Sequence, residues 1–374
     1  MKNSFLEYQG LLDTEISELW LNGLIIFDTN TLLNLYRYSE MTTNSIIEIL
    51  ESLNKQIFLP FQVGKEFYKN RLSVINENIK IYNTFKSEFE DLVSSIKNES
   101  RNPFFKTKTQ KLIENVFEEV DKETKEKIEY FEKLFSKDDI KDKIENLFSN
   151  KINKEQSDDS IQKLFKEGEL RYKLKIPPGY KDDQKHGNDK FGDYIIWKEI
   201  IEISKNQNKD IIFVTSDNKE DWWLINEGKT ISPRPELIKE FHKETLKRIH
   251  FYKPFQFLRF ANDHVDSKIS DQVIEEVKNL KENPSKISDD NSIEICWLLS
   301  GNFDKIYEIF NELESNGYVV KIRENIGGTI WINIFLPNFP DLARRLNSIY
   351  LKKFQGYDIQ LMESEVFIPT EKVD

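Results

Sequence analysis

An α/β fold with a mainly parallel sheet is predicted for the first two thirds of the chain, on three observations. Leu24-Ile25-Ile26-Phe27 and Ile211-Ile212-Phe213-Val214 are apolar without alternation, as in strands covered on both faces. Each run stops at an acid-bearing turn, Asp28-Thr29-Asn30 and Ser216-Asp217. Between them lie stretches with apolar residues three and four apart, the spacing of a helix face. Strands alternating with such helices indicate βαβ units.

Taken in order, Leu24–Phe27 is the first strand. Leu32, Leu33, Leu35 and Tyr36 follow it, then Ile46, Ile47, Ile49 and Leu50 at helical spacing. Gln56–Pro60 is a second short strand. Leu72, Ile75, Ile79, Tyr82, Phe85, Phe89, Leu92 and Ile96 predict an amphipathic helix of about 25 residues, roughly 37 Å long. Pro103 ends it, a second helix runs from about Thr109 to Phe135, and shorter ones continue to about Leu170. Residues 70–170 therefore read as a helical insertion, an antiparallel hairpin or small bundle, with a separate domain as the alternative. Asp210–Thr215 and Arg248–Tyr252 are the third and fourth strands.

A polar stretch with Pro284, Ser285 and Asp289-Asp290 predicts a partly helical linker over 266–288. Beyond it Ile293, Ile295, Trp297 and Leu299 alternate, as do Tyr318, Val320 and Ile322, and Ile330, Ile332, Ile334 and Leu336. Gly327-Gly328 makes a turn. Ile306, Ile309, Phe310 and Leu313 form a helix face, and Pro340-Asp341 opens a second helix with Leu342, Leu346 and Ile349. A last strand carries Tyr357, Ile359 and Leu361. The order β-α-β-β-α-β is that of an α+β, ferredoxin-like fold. The expected organisation is a domain over 1–265, the linker, and a ferredoxin-like domain over 289–370.

Composition excludes several classes. With 54 basic and 65 acidic residues the net charge is −11, unlike a protein that coats a nucleic-acid backbone. A single cysteine, Cys296, rules out an internal disulfide or a multi-cysteine zinc site and reads as core filler. His186, His242, His250 and His264 have no metal-hydrolase spacing. No run approaches the ~20 apolar residues of a membrane span, and the first ten residues are too polar for a secretory signal. These features predict a cytoplasmic protein with no membrane partner.

Chemistry is expected beyond the carboxyl ends of the strands, where open parallel sheets bind ligands. Asp28 and Asp217 end two strands, Glu66 follows the second strand, and Asp193 precedes the apolar stretch Tyr194-Ile195-Ile196-Trp197. Singly each is an ordinary turn or cap residue. Converging on one rim they would repel one another unless a cation neutralised them. Mg²⁺ takes oxygen ligands of this kind, and two such ions can serve a phosphodiester displacement.

The set resembles the PIN-domain nucleases: Ile25–Asn30 at the first strand, Glu66 after the second, Gly192–Trp197 opening a late helix, and Phe213–Asp217 ending a later strand. More narrowly the chain is similar to a bacterial PIN-like branch with a long helical insertion. That branch carries a Pro-Pro-Gly-Tyr-Lys-Asp segment, here Pro177–Asp182, and an Asp-Trp-Trp segment, here Asp221-Trp222-Trp223. The resemblance covers about residues 1–262. It implies a PIN-like α/β sheet and metal-dependent phosphodiester hydrolysis, usually of RNA, with Mg²⁺ or Mn²⁺ as cofactor. Asp28, Glu66, Asp193 and Asp217 would be the catalytic, metal-binding acids, with Asp182 as a supplement. Asn30 and Ser216 would orient water or a carboxylate. Asp189 and Asp221 have no clear assignment. The resemblance also suggests a toxin or anti-phage effector.

Substrate contacts are expected from Arg171, Lys173 and Lys175, just before the Pro177 segment. Arg101, Lys106, Lys108 and Lys111, interleaved with Phe104 and Phe105, read as a solvated helix connection or a second phosphate patch. Trp222 and Trp223 read as core packing ahead of base stacking. Residues 289–374 hold 14 acidic and 8 basic side chains, so protein contact or self-association is expected there instead of nucleic acid. A phosphatase of the haloacid-dehalogenase type would need an acid where Asn30 stands. Gly228-Lys229-Thr230 lacks the preceding glycine of a phosphate loop. The remaining alternative is a catalytically inactive PIN-like scaffold that binds protein, which would usually have lost one of the acids.

Overall fold

The computed structural model describes residues 5–97, 104–185, 187–264, 269–280, 292–315, 319–325, 329–337, 347, 350–357 and 359–367. The chain divides into two compact units, Met1–Asn279 and Leu280–Asp374. Arg101, His186, residues 281–290, Tyr318, Gly327-Gly328 and the Pro340–Leu346 segment lie outside the described residues, as does Ile349.

In the first unit, β1 (Leu24–Phe27), β2 (Ile57–Phe58), β3 (Ile211–Val214) and β6 (Ile249–Tyr252) form one parallel sheet in the order β2-β1-β3-β6. Every residue of β1 and β3 is buried, which is why these runs show no alternation. Each such side chain contributes about 1.5–3 kcal/mol by leaving water. Helices α1 (Asp13–Asn22), α2 (Thr29–Leu33) and α3 (Glu40–Ser52) precede β2. From β1 the chain passes to β2 on one side, and later returns to β3 on the other. The switch point of the sheet, where parallel sheets open a crevice, is therefore between β1 and β3.

The long crossover is helical, as expected, but α4 spans Phe61–Lys97, 37 residues in all. It begins well before Leu72. Its first turn is closed from elsewhere in the fold: the Phe61 N–H donates to Asn153 Oδ1 at 2.6 Å, and the Gln62 N–H to Glu199 Oε2 at 2.9 Å. Helix α5 (Thr107–Leu134) lies against α4. Lys97 pairs with Glu114, Lys86 with Asp121, and the Tyr82 ring meets Phe131. One sequence rises as the other falls, so the pair is an antiparallel hairpin. Helices α6 (Asp139–Leu147), α7 (Asp158–Lys173) and α8 (Gly192–Gln207) complete the crossover.

After β3 a hairpin of β4 (Trp223–Asn226) and β5 (Lys229–Pro233) turns at Glu227 and Gly228, both with positive φ. Of Gly228-Lys229-Thr230, Gly228 lies in that turn and the other two residues start β5. Helix α9 (Pro235–Thr245) leads to β6, then α10 (Pro254–His264) and α11 (Asp271–Asn279). Helix α11 occupies part of the expected linker but buries Val273, Ile274 and Val277 in the first unit's core. Those three residues share a helical face within a polar stretch. Among the described residues no helix is long and apolar enough to cross a membrane.

The second unit is an antiparallel sheet of β7 (Ser292–Gly301), β8 (Val319–Asn325), β9 (Thr329–Pro337) and β10 (Ile359–Phe367) in the order β10-β7-β9-β8. Helix α12 (Phe303–Ser315) and a helical segment over 350–356 supply the other layer. Ile295, Trp297 and Leu299 from β7 pack with Ile306, Ile309 and Leu313 of α12, and with Ile330, Ile332 and Ile334 of β9. Cys296 is buried, and its sulfur accepts a hydrogen bond from Asn333 Nδ2 at 3.2 Å. The element order and pairing are those of the ferredoxin-like arrangement.

Candidate active site at the carboxyl ends of the strands

Asp28 is the first residue beyond β1 and caps α2. Its Oδ1 accepts the Thr31 N–H at 2.6 Å, and its Oδ2 accepts the Ser216 N–H at 3.1 Å and the Thr215 hydroxyl. Thr215 also accepts the Asp217 N–H at 3.0 Å. One threonine, to which the sequence assigned no role beyond its place in the strand, thus joins the ends of β1 and β3. Burial pushes the Asp28 carboxyl up to about 6, against the hydrogen bonds from Thr215 and Thr31 that lower it.

Glu66 lies one turn into α4 and faces the same rim. Gln62 donates to its Oε1 and the Thr29 hydroxyl to its Oε2, both at 2.8 Å. Burial raises this carboxyl too. Gly192 opens α8 beside it, and a Cβ there would collide with Glu66 Oε1. The glycine therefore lets α8, and Asp193 with it, approach Glu66.

The remaining acids meet at a lysine. Lys219 Nζ stands 2.9 Å from Asp193 Oδ2, 3.0 Å from Asp217 Oδ2 and 3.1 Å from Asp182 Oδ1. Burial opposes the charge on Lys219, but Asp193, Asp217 and Asp182 outweigh it and raise its pKa. Burial also raises Asp193 despite Lys219. For Asp182, burial is overcome by Lys219 and by Lys185 at 2.7 Å, leaving it below the usual carboxylate value. Asp183, its neighbour, instead pairs with Lys190, and Asp189 pairs with Lys69 on the surface.

Asp221 holds the loop that carries Asp182. Its Oδ2 accepts the N–H groups of Gly179 and Lys181, each at 3.0 Å, while its Oδ1 is buried with no partner among the described residues. Gly179 sits at φ +91°, and a side chain there would strike the Tyr172 hydroxyl. Asp221→Ala should cost about 1–3 kcal/mol in urea unfolding, because the buried Gly179 N–H and the partly buried Lys181 N–H lose their acceptor. Asp221→Asn, which keeps one acceptor oxygen, should cost less.

Trp222 and Trp223 are buried, as the packing reading expects. Trp222 packs on Phe213, Trp197 and Phe251 and donates its indole N–H to Asp193 Oδ2 at 3.3 Å. Trp223 donates to the Asp217 carbonyl at 2.7 Å. The Ser216 hydroxyl is buried without a hydrogen-bond partner among the described residues, and Asn30 is exposed. Lys173 and Lys175 are exposed, as are Lys106, Lys108 and Lys111.

Arg171 departs from its expected role in substrate binding. It is buried, forks onto Glu240 at 2.7 and 2.8 Å, donates to the Pro177 carbonyl, and lies 4.9 Å from the Tyr194 ring centroid. Both terminal nitrogens are engaged within the fold, and Nε is buried with no partner among the described residues, so the guanidinium presents no face to a phosphate.

Glu199 on α8, which closes the start of α4, is pushed by burial up to about 8. Its folded value lies above the ordinary 4.5. The stability it contributes in acid is therefore lost as pH rises from 4.5 through about 8. Glu199→Gln keeps the oxygen that accepts the Gln62 N–H and should remove that slope. Relative to wild type, its Tm should rise more at pH 9 than at pH 5.

Asp28, Glu66, Asp182, Asp193 and Asp217 are hard oxygen donors, and only Lys219 and Lys185 offset them within ion-pair distance among the described residues. That excess of negative charge fits a divalent cation, and the Lys219 ammonium shows that the rim holds positive charge. Among the described residues no three His, Cys, Asp or Glu side chains are arranged around a common metal position. Lys219 occupies the point where three of the carboxylates converge.

No curated protein and no solved structure shows a significant match to the chain. The family described as PIN like domain matches residues 24–237, a span that contains all five acids and stops short of the second unit. More than half of the chain falls within that match, and the chain belongs to the PIN-like domain family, whose fold is of the nuclease type.

Proposed function

We propose that the chain is a metal-dependent endonuclease that hydrolyses phosphodiester bonds, with RNA as the substrate class its family resemblance favours. The observation that carries this reading is the gathering of five carboxylates at the switch point of a parallel sheet, with fewer cations than acids. Asp28 and Glu66, with Asp193 beside them, would hold Mg²⁺ or Mn²⁺. The ion supplies Lewis acidity to a phosphate oxygen and to the attacking water. Thr215, Thr31 and the Ser216 N–H fix Asp28, while Thr29 and Gln62 fix Glu66, so neither carboxylate has to reorganise as charge develops. The unpartnered Ser216 hydroxyl is suited to orient water, and Asn30 stands free for the same task or for substrate. Exposed Lys173 and Lys175 would attract the phosphate backbone. The acidic second unit is left to protein contact.

The test is incubation of the purified chain with labelled single-stranded RNA and DNA, in Mg²⁺, in Mn²⁺ and in chelator. Cleavage of RNA ahead of DNA, abolished by chelator, is the expected result. No cleavage of either polymer under any condition would leave the scaffold reading in its place.

A further inference from the structure

Lys219 is a missing part of the expected set, and its surroundings give it a definite task. An ammonium has three N–H donors, and Lys219 meets three different carboxylates at 2.9–3.1 Å. Its backbone is equally committed. The Lys219 N–H donates to Asp217 Oδ1 at 2.7 Å, and its carbonyl accepts the N–H groups of Trp222 and Trp223, each at 3.1 Å. Both of those tryptophans are buried. The turn that carries the ammonium is therefore anchored in the core, and the side chain itself is 26% exposed.

The rim is consequently divided. Asp182, Asp193 and Asp217 share an ammonium, whereas Asp28 and Glu66 have no ion-pair partner among the described residues. Their oxygens meet only neutral donors: hydroxyls, an amide and backbone N–H groups. Mg²⁺ commonly uses one or two carboxylates and completes its shell with water and phosphate; Asp28 and Glu66, linked through the Thr29 hydroxyl that follows Asp28 and bonds Glu66, are the carboxylates left for it.

We propose that Lys219 is a built-in cation that permanently fills one of the two positive positions of the rim, so that the centre binds one divalent ion instead of two. Lys219 is thus a positioning residue: it holds Asp182, Asp193 and Asp217 together with or without metal and leaves the Asp28–Glu66 side for the ion. The inference rests on the metal-dependent reading above.

The experiment counts Mn²⁺ bound by the full-length chain, by equilibrium dialysis and electron paramagnetic resonance, for wild type, Lys219→Met and Lys219→Gln. Each protein is checked for its fold by circular dichroism in the presence of Mn²⁺. Wild type should bind one Mn²⁺ with an isolated-ion spectrum. At least one of the two variants should bind a second, with spin coupling between the ions. A Tm in chelator lower than that of wild type, recovered by Mn²⁺, should accompany the second ion, since three facing carboxylates then lack a cation. Two ions on wild type overturn the proposal while leaving the metal reading intact. One ion on all three proteins overturns it as well, because Lys219 then excludes nothing. No ion on any of them overturns both.

Discussion

Asp193→Asn should lower cleavage by about 10²-fold or more while leaving the metal-free protein as stable as wild type, or more so. The two effects separate because Asp193 is costly without a metal ion. Burial raises its pKa, and Asp217 and Asp182 repel its charge. Asparagine keeps an oxygen for the Trp222 indole N–H and removes one of the repelling charges. Lys219 is not stranded, since Asp182 and Asp217 still face it, so the usual penalty for breaking a buried pair does not arise. Activity is another matter. Loss of a group that merely supports a metal ligand costs about 10–100-fold, and Asp193 is proposed to stand beside the ion itself. Tm in chelator within about 2 °C of wild type, or above it, together with the loss of cleavage, checks both halves.

Arg171→Ala should destabilise the first unit by about 2–4 kcal/mol, below the full cost of a stranded buried charge because the Glu240 side chain is 22% exposed. The guanidinium joins α7 to Glu240 on α9 and to the carbonyl of Pro177. Glu240 Oε2 also accepts the Trp197 indole N–H at 3.0 Å, so its removal would strand a carboxylate among aromatic rings. Lysine cannot reproduce the two-pronged contact or the packing on Tyr194, and Arg171→Lys should recover only part of the loss. Urea unfolding followed by tryptophan fluorescence measures both variants. A change in substrate affinity with unchanged stability would restore the phosphate-binding role that the sequence suggested.

The sheet was legible because its strands are buried on both faces: unbroken apolar runs such as Leu24–Phe27 leave little else to fit. The helical crossover was legible for the same kind of reason, through Leu72 to Ile96 at helical spacing. Its start at Phe61 was not, since the groups that close the first turn, Asn153 and Glu199, lie 92 and 137 residues away. A helix such as α11 was in keeping with a partly helical linker, but its packing into the first unit was hidden by a polar composition that outweighed the spacing of Val273, Ile274 and Val277. The Glu227-Gly228 turn could have revealed the β4–β5 hairpin, as a two-residue loop rich in positive-φ propensity.

Within the candidate site, the acids announced themselves by standing where strands end and helices begin. Lys219 did not, because a lysine two residues after an aspartate reads as solvated surface. Only the fold brings Asp193 and Asp182, 26 and 37 residues away in sequence, to its ammonium. Thr215 was hidden as the last polar residue of a strand, and Asp221 as one acid among several. Arg171 misled in the opposite direction: its basic neighbours are exposed, yet it faces inward to Glu240.

The central claim is that the carboxylate rim promotes direct attack of water on phosphorus with the help of a divalent cation. The rival course is attack by the RNA 2′-hydroxyl under general acid–base control, which needs no metal ion. The measurement is the chemical identity of the ends left on a cleaved single-stranded RNA, with and without chelator. The expected result is linear monophosphate and hydroxyl ends from the start of the reaction, with no product in chelator. Ends bearing a 2′,3′-cyclic phosphate, formed equally well in chelator, would contradict it.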